Sequence, residues 1–228
     1  MQLVFVHGSG GCGAYWRHQT EFFSGSDAID LPGHPDGELL PTAADYADWL
    51  SSYIKGRDYR DVVVVGHSIG GAIAMLYALE HPAELRATVL VGSGARLRVL
   101  PQMLRSLEKA LGDPTLFEQL MRPAWQKIER GQADRLQKTA ERIGPAAFLN
   151  DLRACDRFDI IDRLSEIATP TLAICGSEDV MTPPRYSLFL ADGIPGARAE
   201  IIQGGTHMVF LEKPEAVNRA IEQFLERL

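Results

Sequence analysis

The sequence predicts an α/β fold with a mainly parallel central sheet of about six strands flanked by helices. Short apolar runs alternate with helical patterns along most of the 228 residues, which is typical of βαβ units. The run Val62 to Val65 is apolar at every position, as expected for a strand covered on both faces of a parallel sheet. Residues 96–163 show helical patterns only, and we interpret them as an inserted helical cap.

The first two predicted strands are short, and each is followed by glycine or proline. Leu3 to Val6 forms an apolar strand, and a glycine-rich segment, residues 7–11, follows it. That segment lacks the Gly-x-Gly-x-x-Gly and Gly-Lys-Ser/Thr spacings of phosphate-binding loops, which argues against a nucleotide site. Ala28 to Asp30 forms the second strand and leads into Leu-Pro-Gly-His-Pro. We interpret Asp30 and His34 as turn residues that hydrogen-bond local backbone.

A serine stands where the most apolar strand turns into a helix. The valine strand runs into Gly66-His67-Ser68-Ile69-Gly70, and a buried helical pattern follows as far as His81-Pro82. Glycines two residues either side of Ser68 allow the strand and helix backbones to approach closely, which leaves the hydroxyl exposed at the carboxyl end of the sheet. The pattern predicts a nucleophile elbow, and a serine that only caps the helix is the alternative.

The remaining strands and helices continue the alternation on both sides of the insertion. A helix capped by Thr42 precedes the valine strand, and Thr88 to Val91 forms the strand after the serine turn. Beyond the insertion, Thr171 to Cys175 and Ala199 to Ile202 predict two further strands, and an amphipathic helix begins at Pro214. This alternation predicts right-handed crossovers and a parallel sheet.

The helical insertion divides the chain into an α/β core, residues 1–95 and 164–228, and a cap, residues 96–163. Leucine and methionine recur there at helical spacing, and glycine and proline, Gly131 among them, mark the stops. An insertion between two sheet strands is typical of a cap that controls access to a site on the rigid core. We expect the substrate pocket to be lined by four apolar side chains, Met103, Leu104, Phe148 and Met208.

Three residues with the chemistry for nucleophilic catalysis each follow a different predicted strand. They are Ser68, Asp179 and His207. The carboxyl ends of parallel strands form one rim, where ligands bind. A serine needs a base to attack, and the base needs a carboxylate that fixes its tautomer and stabilises the imidazolium. Their order and their positions after strands favour a catalytic triad over three unrelated structural residues.

Over essentially its whole length the sequence resembles the α/β-hydrolase-fold superfamily, in particular serine carboxylesterase-like members with a helical cap. The matching segments are His7-Gly8 as the oxyanion loop, Asp30 to His34 as a structural turn, Gly66 to Gly70 as the nucleophile elbow, Gly176 to Asp179 with Pro183 as the acid loop, and Gly205 to His207 as the histidine loop. The resemblance implies Ser68, Asp179 and His207 as the catalytic triad. It also implies the backbone N–H groups of Ser9 and Ile69 as the oxyanion hole. The chain starts at what would be the third strand of that fold, so we expect the leading hairpin to be missing and one sheet edge to be exposed.

The resemblance implies hydrolysis of small to medium carboxylic esters through an acyl-enzyme intermediate, with a small-molecule ester and water as reactants and no cofactor. A serine nucleophile disfavours haloalkane dehalogenases and epoxide hydrolases, which use aspartate at that position. A lactonase, a C–C bond hydrolase, a thioesterase or a cofactor-free haloperoxidase or perhydrolase would show the same motifs. A non-catalytic ligand-binding receptor is a more distant alternative, because such receptors also use this fold.

Composition and charge argue against several other classes of protein. The net charge of −7 disfavours binding to nucleic acid or to an anionic membrane surface. No apolar run approaches the ~20 residues of a membrane span, and we expect no secretory leader, because the first residues lack its basic, apolar and small-residue pattern. Cys12, Cys155 and Cys175 have no metal-ligand spacing, so we expect no metal site and a reducing, cytoplasmic location. The expected assembly is a monomer or a homodimer.

Overall fold

The computed structural model describes all 228 residues, and a parallel sheet of six strands forms its centre. The strands are β1 (Gln2–Val6), β2 (Asp27–Ile29), β3 (Val62–His67), β4 (Leu85–Val91), β5 (Thr171–Gly176) and β6 (Arg198–Ile202). Their order across the sheet is β2-β1-β3-β4-β5-β6, and every neighbouring pair is parallel. The predicted fold class, a parallel sheet of about six strands flanked by helices, is confirmed.

Ten α-helices surround the sheet. They are α1 (Arg17–Phe22), α2 (Ala43–Gly56), α3 (Ile69–Glu80), α4 (Pro101–Ala110), α5 (Pro114–Met121), α6 (Arg130–Ile143), α7 (Pro145–Arg157), α8 (Pro184–Gly193), α9 (Val209–Glu212) and α10 (Pro214–Leu225). Short 3₁₀ helices span Gly13–Trp16, Pro82–Glu84, Arg122–Trp125 and Ile161–Glu166. None of the helices combines the length and the apolar character needed to cross a bilayer.

Strand β3 is buried on both faces, as its run of valines predicts. Val63 and Val65 pack into one apolar layer with residues of α10 and the α4 to α7 segment, whereas Val62 and Val64 pack into the layer formed with α2 and α3. Alternate side chains of a strand point to opposite faces, so a strand between two helical layers is apolar at every position. Burial of one such side chain contributes about 1.5 to 3 kcal/mol to the stability of the fold. The valines of β3 therefore stabilise the packing of both layers.

Helices α4 to α7 lie between β4 and β5, in the stretch that the sequence predicts to be a cap. The two ends of this stretch meet, because Arg96 and Asp159 form an isolated antiparallel bridge. Gly131 does not end a helix, which corrects the expected stop at that residue. The Glu129 carboxylate accepts hydrogen bonds from the amides of Gly131 and Gln132, so these residues form the first turn of α6.

The two edge strands of the sheet are β2 and β6. Strand β2 has only three residues, so it presents few unpaired backbone groups to another chain. The hydroxyls of Tyr53 and Tyr59 donate hydrogen bonds to the carboxylate of Asp27, the first residue of this strand, at 2.8 and 3.0 Å. The exposed edge expected from the sequence is therefore short and partly covered.

Strand β3 and helix α3 approach each other closely on both sides of residue 68. A Cβ atom at Gly66 would overlap the carbonyl oxygen of Gly70, and a Cβ atom at Gly70 would overlap the carbonyl oxygen of Val6 in β1. In both cases the obstacle is backbone, which moves only if a packed strand or helix moves with it. Packing therefore requires glycine at both positions.

We expect Gly70→Ala to lower the free energy of unfolding by about 2 to 3 kcal/mol through overpacking, although alanine is the better helix former by about 1 kcal/mol. Gly56→Ala is the matched control, because Gly56 ends α2 and a Cβ there meets no atom within 4 Å. The control should stay within about 1 kcal/mol of the wild type. Urea unfolding measures both, and equal stability of the two variants would contradict the packing argument.

Candidate active site

Ser68 occupies a strained turn between β3 and α3. Its φ and ψ are 53° and −115°, a region of backbone space that residues with a side chain rarely adopt. Two hydrogen bonds join the turn to β4 and to the residues that follow it. The Ser68 amide donates to the carbonyl of Val91 at 2.9 Å, and the Ser93 hydroxyl donates to the carbonyl of Ser68 at 2.8 Å. The end of β4 thus holds Ser68 in its strained backbone conformation. The sequence prediction of a sharp turn at this serine is confirmed.

Asp179 and His207 form a hydrogen-bonded pair beside this turn. Asp179 Oδ2 lies 2.8 Å from His207 Nδ1, and Asp179 is buried. The other carboxylate oxygen, Oδ1, accepts from the amides of Met181 and Thr182 at 2.8 and 2.9 Å. Burial alone would raise the pKa of Asp179, but the hydrogen bond and charge of His207, together with the Thr182 hydrogen bonds, outweigh it and lower the pKa. Asp179 is therefore held as a carboxylate.

Two further contacts bring this pair to the serine turn. His67 Nε2 donates to the carbonyl oxygen of His207 at 3.0 Å, and the two imidazole rings lie 4.7 Å apart. Gly92 directly follows Val91, and a Cβ atom there would lie 3.3 Å from His207 Nδ1 and 3.4 Å from Asp179 Oδ2. His67 precedes Ser68, and Gly92 follows Val91, the hydrogen-bond partner of the Ser68 amide. Both therefore adjoin the Asp179–His207 pair. The ends of β3, β5 and β6 therefore place the Asp179–His207 pair next to His67 and Gly92, which adjoin the Ser68 turn.

The glycine-rich segment after β1 lies against the same turn. A Cβ atom at Gly8 would overlap the His67 ring and would lie 3.2 Å from the Cβ of Ser68. The segment closes on itself, because the amide of Gly11 donates to the carbonyl of Gly8 at 3.0 Å. Ile69 is the first residue of α3, where an amide has no carbonyl partner within the helix. Both loops named for the oxyanion hole therefore flank Ser68, and the roles of the Ser9 and Ile69 amides stay a prediction.

The four predicted pocket residues occupy different environments. Phe148 on α7 faces Gly10, whose Cβ would overlap its ring, and Met208 is buried directly after His207. Leu104 is half-buried against the core, whereas Met103 on α4 is 37% exposed. Phe148 and Met208 thus border the predicted site. The pocket itself stays a prediction for all four residues.

The structure corrects the interpretation of the turn after β2. Asp30 does not bind local backbone, because its Oδ1 accepts a hydrogen bond from the amide of Gly13 at 2.7 Å. His34 contacts the local carbonyl of Pro32, but its Nε2 also lies 2.8 Å from the carboxylate of Asp151, which is 117 residues away in sequence. Neither residue contacts His207. Asp30 and His34 therefore link their turn to segments that are distant in sequence.

Two contributors to the site were missed by the sequence analysis. The Thr182 hydroxyl donates to Asp179 Oδ2 at 2.7 Å and lies 3.2 Å from His207 Nδ1. Asp151 accepts from the amide of Gly10 at 2.9 Å. Thr182 lies three residues after the acid in a Pro-rich loop, a spacing that suits an Asx-type turn, whereas nothing local marks Asp151. No cluster of three or more His, Cys, Asp or Glu side chains is placed to bind a metal ion.

Comparison with known proteins gives consistent matches over the whole chain. A model of the alpha/beta hydrolase family matches residues 3–220. The solved structure of a thermophilic esterase is 35% identical, with a TM-score of 0.85 over 99% of this chain and 89% of that chain. Est816, described as an N-acyl homoserine lactone degrading enzyme, is 26% identical, with a TM-score of 0.81 over 98% of this chain and 93% of that chain. The (E)-2-((N-methylformamido)methylene)succinate hydrolase of Acinetobacter baylyi is 27% identical over 98% of this chain and 90% of its own length.

Two buried histidines should make the stability of the protein sensitive to acid. Burial, together with the charge of a neighbouring histidine, lowers the pKa of His7 and His67 from 6.5 to about 3. Between these two pH values the unfolded chain binds more protons than the folded one, so the free energy of unfolding falls as the pH falls through this window. The slope should reach about 1.4 kcal/mol per pH unit for each histidine.

Urea unfolding at pH 4 to 6 measures this slope. His67→Gln should remove the contribution of His67 and leave that of His7, so the slope should fall by about 1.4 kcal/mol per pH unit. An unchanged slope in His67→Gln would show that His67 does not stay neutral in the folded protein.

Proposed function

Because the chain belongs to the alpha/beta hydrolase family and is a hydrolytic enzyme, we propose that it cleaves small to medium carboxylic esters through a Ser68, His207 and Asp179 triad. One observation carries the proposal. His207 Nδ1 binds the buried carboxylate of Asp179 at 2.8 Å, immediately beside the strained turn that holds Ser68. This arrangement supplies a nucleophile, a base and an acid that orients the base.

The hydrogen bond to Asp179 assigns separate tasks to the two nitrogens of His207. Nδ1 carries the proton that binds the carboxylate, so Nε2 is the nitrogen available as general base. Nε2 takes the proton of the Ser68 hydroxyl as its oxygen attacks the ester carbonyl. The protonated ring then gives that proton to the leaving alcohol, which leaves an acyl-enzyme. Water, activated by the same nitrogen, releases the acid and restores the serine.

Backbone amides stabilise the negative charge that develops on the ester oxygen. In this proposal the donors are the N–H groups of Ser9 and Ile69, which belong to the two loops that flank Ser68. Each oxyanion donor of this kind contributes about 3 kcal/mol to the lowering of the barrier. The dipole of α3 adds to the effect, because Ile69 begins that helix.

The surface of the α4 to α7 segment favours a small, water-soluble ester over an aggregated lipid. A lipase acting at an oil surface needs a large exposed apolar patch around its open entrance. Here the outer surface of the segment carries ion pairs between half-exposed side chains, such as Arg153 with Glu108 at 2.7 Å and Arg122 with Glu118. We propose that this segment is the cap over the substrate.

Lactone hydrolysis is the second candidate function. It is favoured by the similarity to Est816, because that protein is described as degrading an N-acyl homoserine lactone and is 26% identical. A lactone is a cyclic ester, so the same nucleophile, base and oxyanion donors would open it. The difference lies in the leaving alcohol, which stays attached to the acyl group.

The assignment of the nucleophile is tested with a fluorophosphonate ester probe. We expect one equivalent of the probe to add to the peptide that contains Ser68, because this hydroxyl is held in the strained turn next to the Asp179–His207 pair. Ser68→Ala should lose at least about 10⁴-fold in ester turnover and should not be labelled. Ser52→Ala, at an exposed position of α2, is the control and should behave as wild type. Labelling of Ser9 or Ser93 would contradict the assignment.

The substrate range is tested with p-nitrophenyl esters of increasing acyl length and with N-acyl homoserine lactones. Each methylene that the pocket accepts adds about 0.8 kcal/mol of binding, until the end wall is reached. We expect kcat/KM to peak at a short to medium chain. The rate of hydrolysis should show no jump when the ester concentration passes its solubility limit. A steady rise through the longest chains would indicate a lipase. Higher kcat/KM for the lactones than for every ester would favour the second candidate.

A further inference from the structure

One face of helix α7 lies against the Ser9–Gly10 turn. Phe148, Asp151 and Cys155 are spaced by three and four residues, so they share this face. A Cβ atom at Gly10 would lie 3.1 Å from the Cβ of Phe148. Asp151 Oδ2 accepts a hydrogen bond from the amide of Gly10 at 2.9 Å, and Cys155 Sγ lies 3.8 Å from Ser9 Oγ. Three successive turns of α7 therefore support two consecutive residues of the glycine-rich segment.

Asp151 is the polar centre of this contact and is 0% exposed. Its Oδ2 also lies 2.8 Å from His34 Nε2, and its Oδ1 lies 3.5 Å from the Tyr46 hydroxyl. Burial alone would lower the pKa of His34, but the hydrogen bond and charge of Asp151 outweigh it and raise the pKa. A buried carboxylate is costly unless it is paired and hydrogen-bonded. These partners therefore fix the position of the carboxylate to which the Gly10 amide donates its hydrogen bond.

The opposite side of the same turn faces the predicted nucleophile. Gly8 lies against the His67 ring, and a Cβ atom placed on Gly8 would lie 3.2 Å from the Cβ of Ser68. The His7 ring contacts the carbonyl of Gly8 at 2.9 Å. Gly10 adopts a φ of +61°, which glycine tolerates without strain. The turn is thus held between Ser68 on one side and Asp151 on the other, and its flexible residues would otherwise have several conformations available.

We propose that Asp151 is a positioning residue that aims the Ser9 amide at the oxyanion. The Gly10 amide and the Ser9 amide belong to consecutive peptide units, so fixing the first restricts the direction of the second. The inference rests on the proposed function, and it gives the α4 to α7 segment a part in the chemistry as well as in the choice of substrate. Preorganised donors are effective because they need no reorientation as charge develops.

The test compares Asp151→Ala, which removes the acceptor of the Gly10 amide, with the wild type on the best p-nitrophenyl ester. Outright loss of one oxyanion donor costs about 10²- to 10³-fold in turnover, so we expect a misdirected donor to lower kcat about 10- to 100-fold. KM should change less than about 2-fold, because oxyanion contacts act mainly in the transition state. The inhibition constant of phenylboronic acid, whose tetrahedral serine adduct places an oxygen in the oxyanion hole, should rise by the same factor as kcat falls.

Asn150→Ala is the matched control. Asn150 precedes Asp151 on α7, and its Nδ2 donates to the carbonyl of Leu40 at 2.8 Å, so it also ties α7 to the segment after β2. It makes no contact with Ser9 or Gly10. The control should lose thermal stability while keeping kcat and boronate inhibition within about 2-fold of the wild type.

Asp151→Glu provides a second variant, because it keeps the charge beside His34 but moves the carboxylate relative to Gly10. If neither variant folds, hydrogen exchange of the Gly10 amide in the wild type decides. We expect strong protection, and exchange as fast as at the exposed Gly25 would overturn the inference. Wild-type kcat and boronate inhibition in a folded Asp151→Ala would also overturn it. If the wild type neither hydrolyses esters nor reacts with the fluorophosphonate at Ser68, the proposed function fails instead.

Discussion

The parallel direction of all six strands is the constraint on which the candidate site depends. Ser68, Asp179 and His207 follow β3, β5 and β6, and the carboxyl ends of parallel strands lie along one edge of the sheet. Strand β4 lies between β3 and β5, and its last carbonyl holds the Ser68 amide while Gly92 lies against the Asp179–His207 pair. A reversed strand would carry its loop to the opposite edge and separate the three residues.

Backbone proximity at the serine turn is the second requirement. Gly66 and Gly70 leave no room for a side chain, because carbonyl oxygens of α3 and β1 occupy that space. Ser68 itself is held at a positive φ. Strain of this kind costs of order 1 to 3 kcal/mol and persists only where the surroundings supply more stabilisation than that. The valines of β3 are buried between two helical layers and provide this stabilisation directly beside the turn.

Two buried carboxylates organise the two halves of the site. Asp179 binds His207 and is satisfied by the Thr182 amide and hydroxyl. Asp151 binds the Gly10 amide and His34. Each has enough donors to offset the loss of hydration that burial imposes. The first follows a strand of the sheet and the second lies on helix α7, so His207 and the glycine-rich segment are fixed by different parts of the chain.

The amino-acid sequence determined the sheet, the turn at Ser68 and the sites of Asp179 and His207 after their strands, because hydrophobic period, glycine spacing and strand ends are local features. The predicted pairing of Asp179 with His207 is present in the structure. It could be predicted because both residues follow neighbouring parallel strands, whose carboxyl ends lie side by side. Tertiary packing alone decided the environment of His34, whose partner Asp151 is 117 residues distant on a helix with no distinguishing local motif. Local reasoning assigned His34 and Asp30 to their own turn. It could not do otherwise, because a buried polar side chain takes the partner that the packed helices and strands bring to it.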